Sequence, residues 1–324
     1  MSQQSAMQLK MVLPPAPWTR GFEDGRVGIP GVSWECNFGV ENAPERFVAS
    51  QAYDVGENGV RRLAISHLGG SPAVALPVYF GRELMQRNLL VRRDSNLHHP
   101  SDLAGKRVGS HLGPGSGTGG AVLMMLEQAY GVPLHEIEWH LGDPTSLPVN
   151  RMGLDLRPTP LDEEPTFAML SRGDVDALII TGGPRYFSLL GCDKIDEALA
   201  RHPDLRPLIE DPGVIADAYR RTRLYPITDV VVVRPDLPQM DPALPPRLVD
   251  AFARANALAP EYRDADEEAM ARREIELLGE DPHQCGLGEN EIHNLATWID
   301  FLYRLGAIDR AFDPAELFVP STRP

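Results

Sequence analysis

Between Lys106 and Val132 the chain reads "KRVGSHLGPGSGTGGAVLMMLEQAYGV", and this stretch narrows the choice of folds more than any other. A short apolar strand enters a loop with glycines at 113, 115, 117, 119 and 120, which opens into a helix from about Gly120 to Tyr130. The first turns of that helix, Ala121 to Leu126, are apolar all round, the pattern of a helix buried on every side. Gly131 suits its C-terminal cap. A strand, a glycine turn and an enclosed helix together predict an α/β fold with parallel sheets.

The remaining pattern agrees. "GVSWECNFGV", "AVALPVYF" and "NLLVRRD" read as strands, "APERFVAS" as a helix, and "YDVGENG" as a turn before "VRRLAISHL". "HHPSDLAGKRVGS" reads as loop, short helix and strand, and "LHEIEWHLG" as another strand. In "TFAMLSRGDVDALIITGGP" helix, turn, strand and glycine turn follow one another. A helix precedes the strand from Asp229 to Arg234, whose four consecutive valines predict burial on both faces. Beyond Leu244 the pattern is mainly helical, and no internal repeat is present.

Composition excludes several functions. With 46 acidic and 31 basic residues among 324, the net charge is −15, which repels a phosphate backbone, so nucleic-acid binding is not expected. Three cysteines, at 36, 192 and 285, lack CxxC spacing and suit reduced thiols. The N-terminal stretch lacks the apolar core of a signal peptide, and no apolar run is long enough to cross a bilayer. A cytoplasmic location without membrane contact is the expectation.

What does the glycine loop hold? A Walker loop requires a terminal lysine followed by Ser or Thr, and this loop ends "GTGGAV". "GSGTGG" satisfies the dinucleotide pattern formally, but no clear acidic residue closes a second strand about twenty residues on. An anion without a nucleotide fits better, because glycines admit close backbone N–H groups and the helix aims its positive end at the same point. Ser116 and Thr118 would add hydroxyls beside Gly117. The alternative is a tight helix-packing turn.

Several blocks then carry a resemblance: "DGRV", "YDVGE", "LPVYFGRELMQRNLLVRR", "PSDLAGKRVGS", "YGVPLHEIEWHLG", "LSRGDVDALI", "AYRRTRLYPITDVVVVRPDL" and "DPAELFVPS". In this order, over nearly the whole chain, they resemble the 4,5-dihydroxyphthalate decarboxylase family, built on the type II periplasmic-binding-protein fold. The resemblance implies two α/β lobes with two crossover strands, near Leu90–Arg93 and Asp229–Val233, and a mainly helical C-terminal region. Lobe I would comprise 1–92 and 231–324, and lobe II 93–230. It further implies a cofactor-free, non-oxidative decarboxylation of a hydroxylated aromatic dicarboxylate in the cleft, and a homo-oligomer; no cysteine or histidine spacing argues for a metal, since His98 and His99 adjoin without carboxylates at ligand spacing. A non-catalytic small-anion binding or sensor protein of the same fold is the alternative.

Loss of CO2 from an arene needs a proton donor over the carbon that carries the departing carboxylate. It also needs a ring hydroxyl para to that carbon that can push electrons in. His111, beyond the strand "RVGS", is the candidate acid, since an unperturbed histidine titrates near neutrality. Asp229 is the second candidate, in "YPITD", where family members carry histidine; Asn88 replaces a family histidine as well. Arg82, matched to a family arginine, would clamp the carboxylate that stays. Arg20 and Arg185 follow expected strand ends in each lobe, and Tyr53 and Tyr79 would stack on the ring or donate to it.

Overall fold

The computed structural model describes residues 7–38, 52–70, 73–82, 84–143, 150–159, 163–180 and 193–323. Two sheets organise the chain. The first runs β2 (Val32–Phe38), β1 (Met7–Leu13), β3 (Val55–Gly59), β11 (Ile227–Val233), β4 (Val74–Arg82). The second runs β10 (Leu205–Pro207), β5 (Leu89–Arg92), β9 (Ala177–Ile179), β6 (Arg107–Leu112), β7 (Glu138–Asp143), β8 (Asp155–Pro158).

Both sheets are mixed: among the described residues five strand pairings are parallel, with β1 flanked by β2 and β3, β6 by β7 and β9, and β8 beside β7, and four are antiparallel. The antiparallel members are the strands next to the inter-sheet passages. β11 runs against both β3 and β4, and β5 runs against β9 and β10. The valines of β11 are buried on both faces as predicted: Val230 and Val232 join one apolar cluster, Val231 and Val233 another.

The segment "YDVGENG" is not a turn. Val55–Gly59 is a strand inside the first sheet, held between β1 and β11. Its glycines and Asn58 have little β preference of their own, so pairing on both sides overrides the local tendency. The two expected crossover strands each belong to one sheet. β5 lies wholly in the second sheet and β11 wholly in the first, so the chain crosses between Arg82 and Leu89 and returns between Pro207 and Ile227. The expected helix "APERFVAS" falls outside the described residues.

The principal helices are α1 (Val60–Gly69), α2 (Gly117–Tyr130), α3 (Glu163–Arg172), α4 (Asp193–Arg201), α5 (Pro212–Thr222), α6 (Leu244–Leu258), α7 (Ala265–Leu278) and α8 (Glu289–Leu305). Helix α2 begins three residues earlier than the pattern suggested. It buries its residues continuously from Gly119 to Leu126, and Gly131 closes it at φ 65°. One apolar cluster runs from Val12, Ala75 and Val230 of the first sheet through α2 and α8 to Val91, Val108 and Ile179 of the second. Helix α2 is therefore the shared wall between the sheets.

No helix among the described residues is long and apolar enough to cross a membrane.

Candidate functional site

Strand direction locates the crevice. The carboxyl ends of β1, β3 and β4 lie on one rim of the first sheet, beside the amino end of antiparallel β11. On the second sheet the carboxyl ends of β6, β7 and β9 lie beside the amino end of β5. The chain passes from the carboxyl end of β4 to the amino end of β5 within a few residues, so these two rims adjoin the same passage between the sheets. In open α/β sheets this is where ligands sit.

The second-sheet rim carries His111, Gly117 and Thr118. His111 is exposed near the end of β6. Ser116 is the N-cap of α2. Its hydroxyl accepts the Gly119 N–H at 3.0 Å and donates to the Gly113 carbonyl at 2.9 Å. That hydroxyl is spent on the turn and does not fill the ligand role expected of it. The N–H groups of Gly117 and Thr118 find no acceptor among the described residues, as the first amides of a helix do without a cap or an anion.

The glycines divide into two kinds. A Cβ at Gly119 would overlap the Gly113 carbonyl, and one at Gly120 would lie 3.0 Å from both the Pro114 carbonyl and the Trp298 ring. These two are glycine because the loop and α8 pack against them. Gly117 has open space within 4 Å of its Cβ position. Gly119 and Gly120 form a packing turn, while the Gly117 and Thr118 amides find no acceptor among the described residues. On the same rim the Asn88 amide, in the place of a family histidine, donates to the Ile180 carbonyl at 3.0 Å and is buried.

The first-sheet rim carries Asp229. It pairs with Gly59 on one side and Gly81 on the other, and the register with β4 shifts on both sides of it. Such a bulge re-aims side chains at a sheet's end. Asp229 is half-buried, and its carboxylate occupies the space that a Cβ on Gly81 would need. The neighbouring Arg61 and Arg62 open α1, with no acidic residue in its first turn. Cations are disfavoured there by the helix dipole. Burial, with the charge of Arg62 adding to it, lowers the Arg61 pKa. Sequence reading missed this pair; the signal was two adjacent arginines after Gly59 and Val60, at a helix start.

The structure places the other expected residues elsewhere. The Arg82 side chain is only 3% exposed and committed within the protein. It meets Glu291 at 2.9 Å, donates to the Pro282 carbonyl, and lies over the rings of Tyr79 (5.2 Å) and Tyr225 (5.9 Å). Its role as a ligand clamp is corrected to that of an internal tie, because both terminal nitrogens of the guanidinium are engaged inside the protein and only the buried Nε is left over. Tyr79 belongs to the same cluster. Its hydroxyl donates to the Gly286 carbonyl at 2.9 Å, and burial pushes its pKa well up, so it is no ring platform.

Tyr53 lies on the β1–β2 side, where its hydroxyl accepts from the Asn37 amide at 3.2 Å. There, with Lys10, Glu35 and Cys36, it lines a concavity of about 400 Å³. Burial pushes the Cys36 thiol up to about 12, which makes it a poor nucleophile. Arg20 is exposed and pairs with Glu23 at 2.5 Å. Arg185 lies outside the described residues. Among the described residues no three His, Cys, Asp or Glu side chains gather as a metal site requires.

Comparisons with known proteins follow the same lines. No protein-family model matches the chain. A 4,5-dihydroxyphthalate decarboxylase of Comamonas testosteroni is 30% identical over 342 aligned positions, covering 98% of each chain. One of Pseudomonas putida is 26% identical, covering 62% of this chain and 77% of its own. Among solved structures, the periplasmic aliphatic sulphonate binding protein SsuA of Escherichia coli matches with a TM-score of 0.58 at 15% identity. That match covers 98% of this chain and 93% of SsuA, and it shows the fold: the two-lobed α/β architecture of periplasmic binding proteins. With both sheets and both rims inside the aligned length, the chain belongs to the 4,5-dihydroxyphthalate decarboxylase family, a family of carboxy-lyases.

Proposed function

We propose that the protein removes one carboxylate, as CO2, from a hydroxylated aromatic dicarboxylate such as 4,5-dihydroxyphthalate, held between the two rims, without oxidation and without a cofactor. The observation that carries this reading is the likeness to the Comamonas testosteroni decarboxylase, which extends over both halves of the crevice.

The chemistry assigns the groups. The carboxylate that stays is held by the Gly117 and Thr118 amides at the start of α2. Asp229 accepts from the ring hydroxyl para to the departing group, which makes that oxygen electron-rich. His111 delivers a proton to the ring carbon bearing the departing carboxylate. The carbon–carbon bond then breaks, its electron pair restores the arene, and neutral CO2 leaves. The net change is one proton consumed and one CO2 released, with no electron acceptor required. Substrate geometry suits this assignment, because 4,5-dihydroxyphthalate carries its carboxylates on one edge of the ring and its hydroxyls on the other.

The test is incubation of the purified protein with 4,5-dihydroxyphthalate in the presence of a chelator, following CO2 and 3,4-dihydroxybenzoate. Saturable binding with no product would favour the second reading, a small-anion binding or sensor protein. The architecture shared with SsuA supports that alternative.

A further inference from the structure

Thr228 sits beside Asp229 on the bulged end of β11 and is 6% exposed. Its hydroxyl has no hydrogen-bond partner among the described residues. A buried hydroxyl left without a partner is destabilising, so its presence in a strand end calls for a reason. The Gly81 position supplies a second observation. A Cβ there would overlap two atoms at once, Thr228 Oγ1 and Asp229 Oδ2. Both oxygens therefore converge on one point above Gly81, while Asp229 Oδ1 lies 3.6 Å from the Cβ position of Gly59. Glycine at 81 is what lets the two oxygens lie side by side against the strand.

We infer that Thr228, with Asp229 and the glycine at 81, forms the seat that reads the vicinal ring hydroxyls and so determines specificity for a dihydroxylated ring. This rests on the proposed reading of the crevice and extends it. Asp229 offers only acceptors while ionised, and the Thr228 hydroxyl can both donate and accept. That pair suits two adjacent phenolic O–H groups and repels carboxylates. The opposite rim offers amide donors at Gly117 and Thr118 and suits carboxylates. A ring with acids on one edge and hydroxyls on the other then has a single orientation in the crevice. A ring hydroxyl that donates to Asp229 Oδ2 comes within reach of the Thr228 hydroxyl on the same side of Gly81 and gives it the partner it lacks.

The experiment measures calorimetric affinities of phthalate, 4-hydroxyphthalate and 4,5-dihydroxyphthalate for the wild type, Thr228→Val, Thr228→Ser and Gly81→Ala. Thr228→Val is expected to lower the preference for 4,5-dihydroxyphthalate over phthalate about tenfold, the worth of one hydrogen bond. Phthalate affinity should stay within about twofold, and Thr228→Ser should restore the preference. The free Thr228→Val protein should melt no lower than wild type, since its buried hydroxyl is unpaired, whereas a structural role would lower the melting temperature. Gly81→Ala, which displaces both oxygens, should abolish the preference and supplies the reading should Thr228→Val fail to fold.

Equal weakening of all three ligands by Thr228→Val, or none, would overturn the seat. CO2 release by the wild type with the preference unchanged in Thr228→Val would remove the seat and leave the decarboxylase. The expected loss of preference without CO2 release from the wild type would support the seat and remove the decarboxylase reading. Failure of the wild type to bind any of the three ligands would overturn both.

Discussion

Arg82 shows how far a single residue can depart from its apparent purpose. An arginine just after an apolar strand reads as a ligand clamp, yet its guanidinium faces Glu291 and the rings of Tyr79 and Tyr225. Arg82→Ala would leave the Glu291 carboxylate without its partner, and the expected cost is about 3–5 kcal/mol of folding stability, measured by urea denaturation. Unchanged stability would show that Arg82 is not the internal tie described here. Ser116 behaves similarly on a smaller scale. Ser116→Ala removes the cap of α2 and should cost about 1 kcal/mol. It should leave anion affinity nearly unchanged, because the hydroxyl hydrogen already points at Gly113. Neither commitment was legible in the sequence, since both depend on partners distant in the chain or on the exact path of a loop.

At the scale of elements, helix α2 and its glycines were the most legible part of the molecule. An apolar surface on every side forces burial, and α2 is buried. The separate work of each glycine was not legible, because it depends on Trp298 of α8, well over a hundred residues away. Two substitutions separate the glycines. Gly120→Val drives side-chain atoms into the Trp298 ring and the Pro114 carbonyl, and should cost about 1–3 kcal/mol by overpacking, read from the thermal midpoint. Gly117→Ala meets open space and replaces a poor helix former, so the free protein should gain up to about 0.5–1 kcal/mol. The added methyl should nevertheless weaken binding of phthalate if the anion approaches the Gly117 amide closely. β3 illustrates the opposite case, a strand of weak local preference that exists because β1 and β11 flank it.

Across the whole molecule, the shared wall is tied by charge as well as by apolar contact. Burial works against the charged form of Glu127 in α2, but Arg304 of α8 donates to both its oxygens at 2.8 and 2.6 Å. The Glu127 pKa consequently lies below the usual carboxylate value. In the unfolded chain the group takes up a proton near pH 4, while in the folded chain it stays ionised to lower pH. Its contribution is therefore present above the unfolded pKa and is lost as pH falls through the folded one. Glu127→Gln should flatten the loss of stability below about pH 4, followed by denaturation at a series of pH values. An unchanged acid slope would mean that the α2–α8 ion pair contributes nothing to the joint between the sheets.

The sequence by itself determined the layers: alternating apolar strands and helices, a strand buried on both faces at the four valines, an enclosed helix after a glycine loop, and a helical C-terminal quarter. These follow from periodicity and from the cost of exposing apolar surface, which act locally and can be read locally. Matching blocks along the chain indicated the family. Only the tertiary structure decided which polar residues remain for chemistry. Arg82 and Tyr79 are withdrawn into the interior by Glu291 and Gly286, whereas Asp229 and Thr228 are turned toward one point by a bulge beside Gly81. The reason is physical: a charged or hydroxyl group takes whichever partner the folded chain brings nearest, and that partner is set by strand register and long-range packing, which no local pattern encodes.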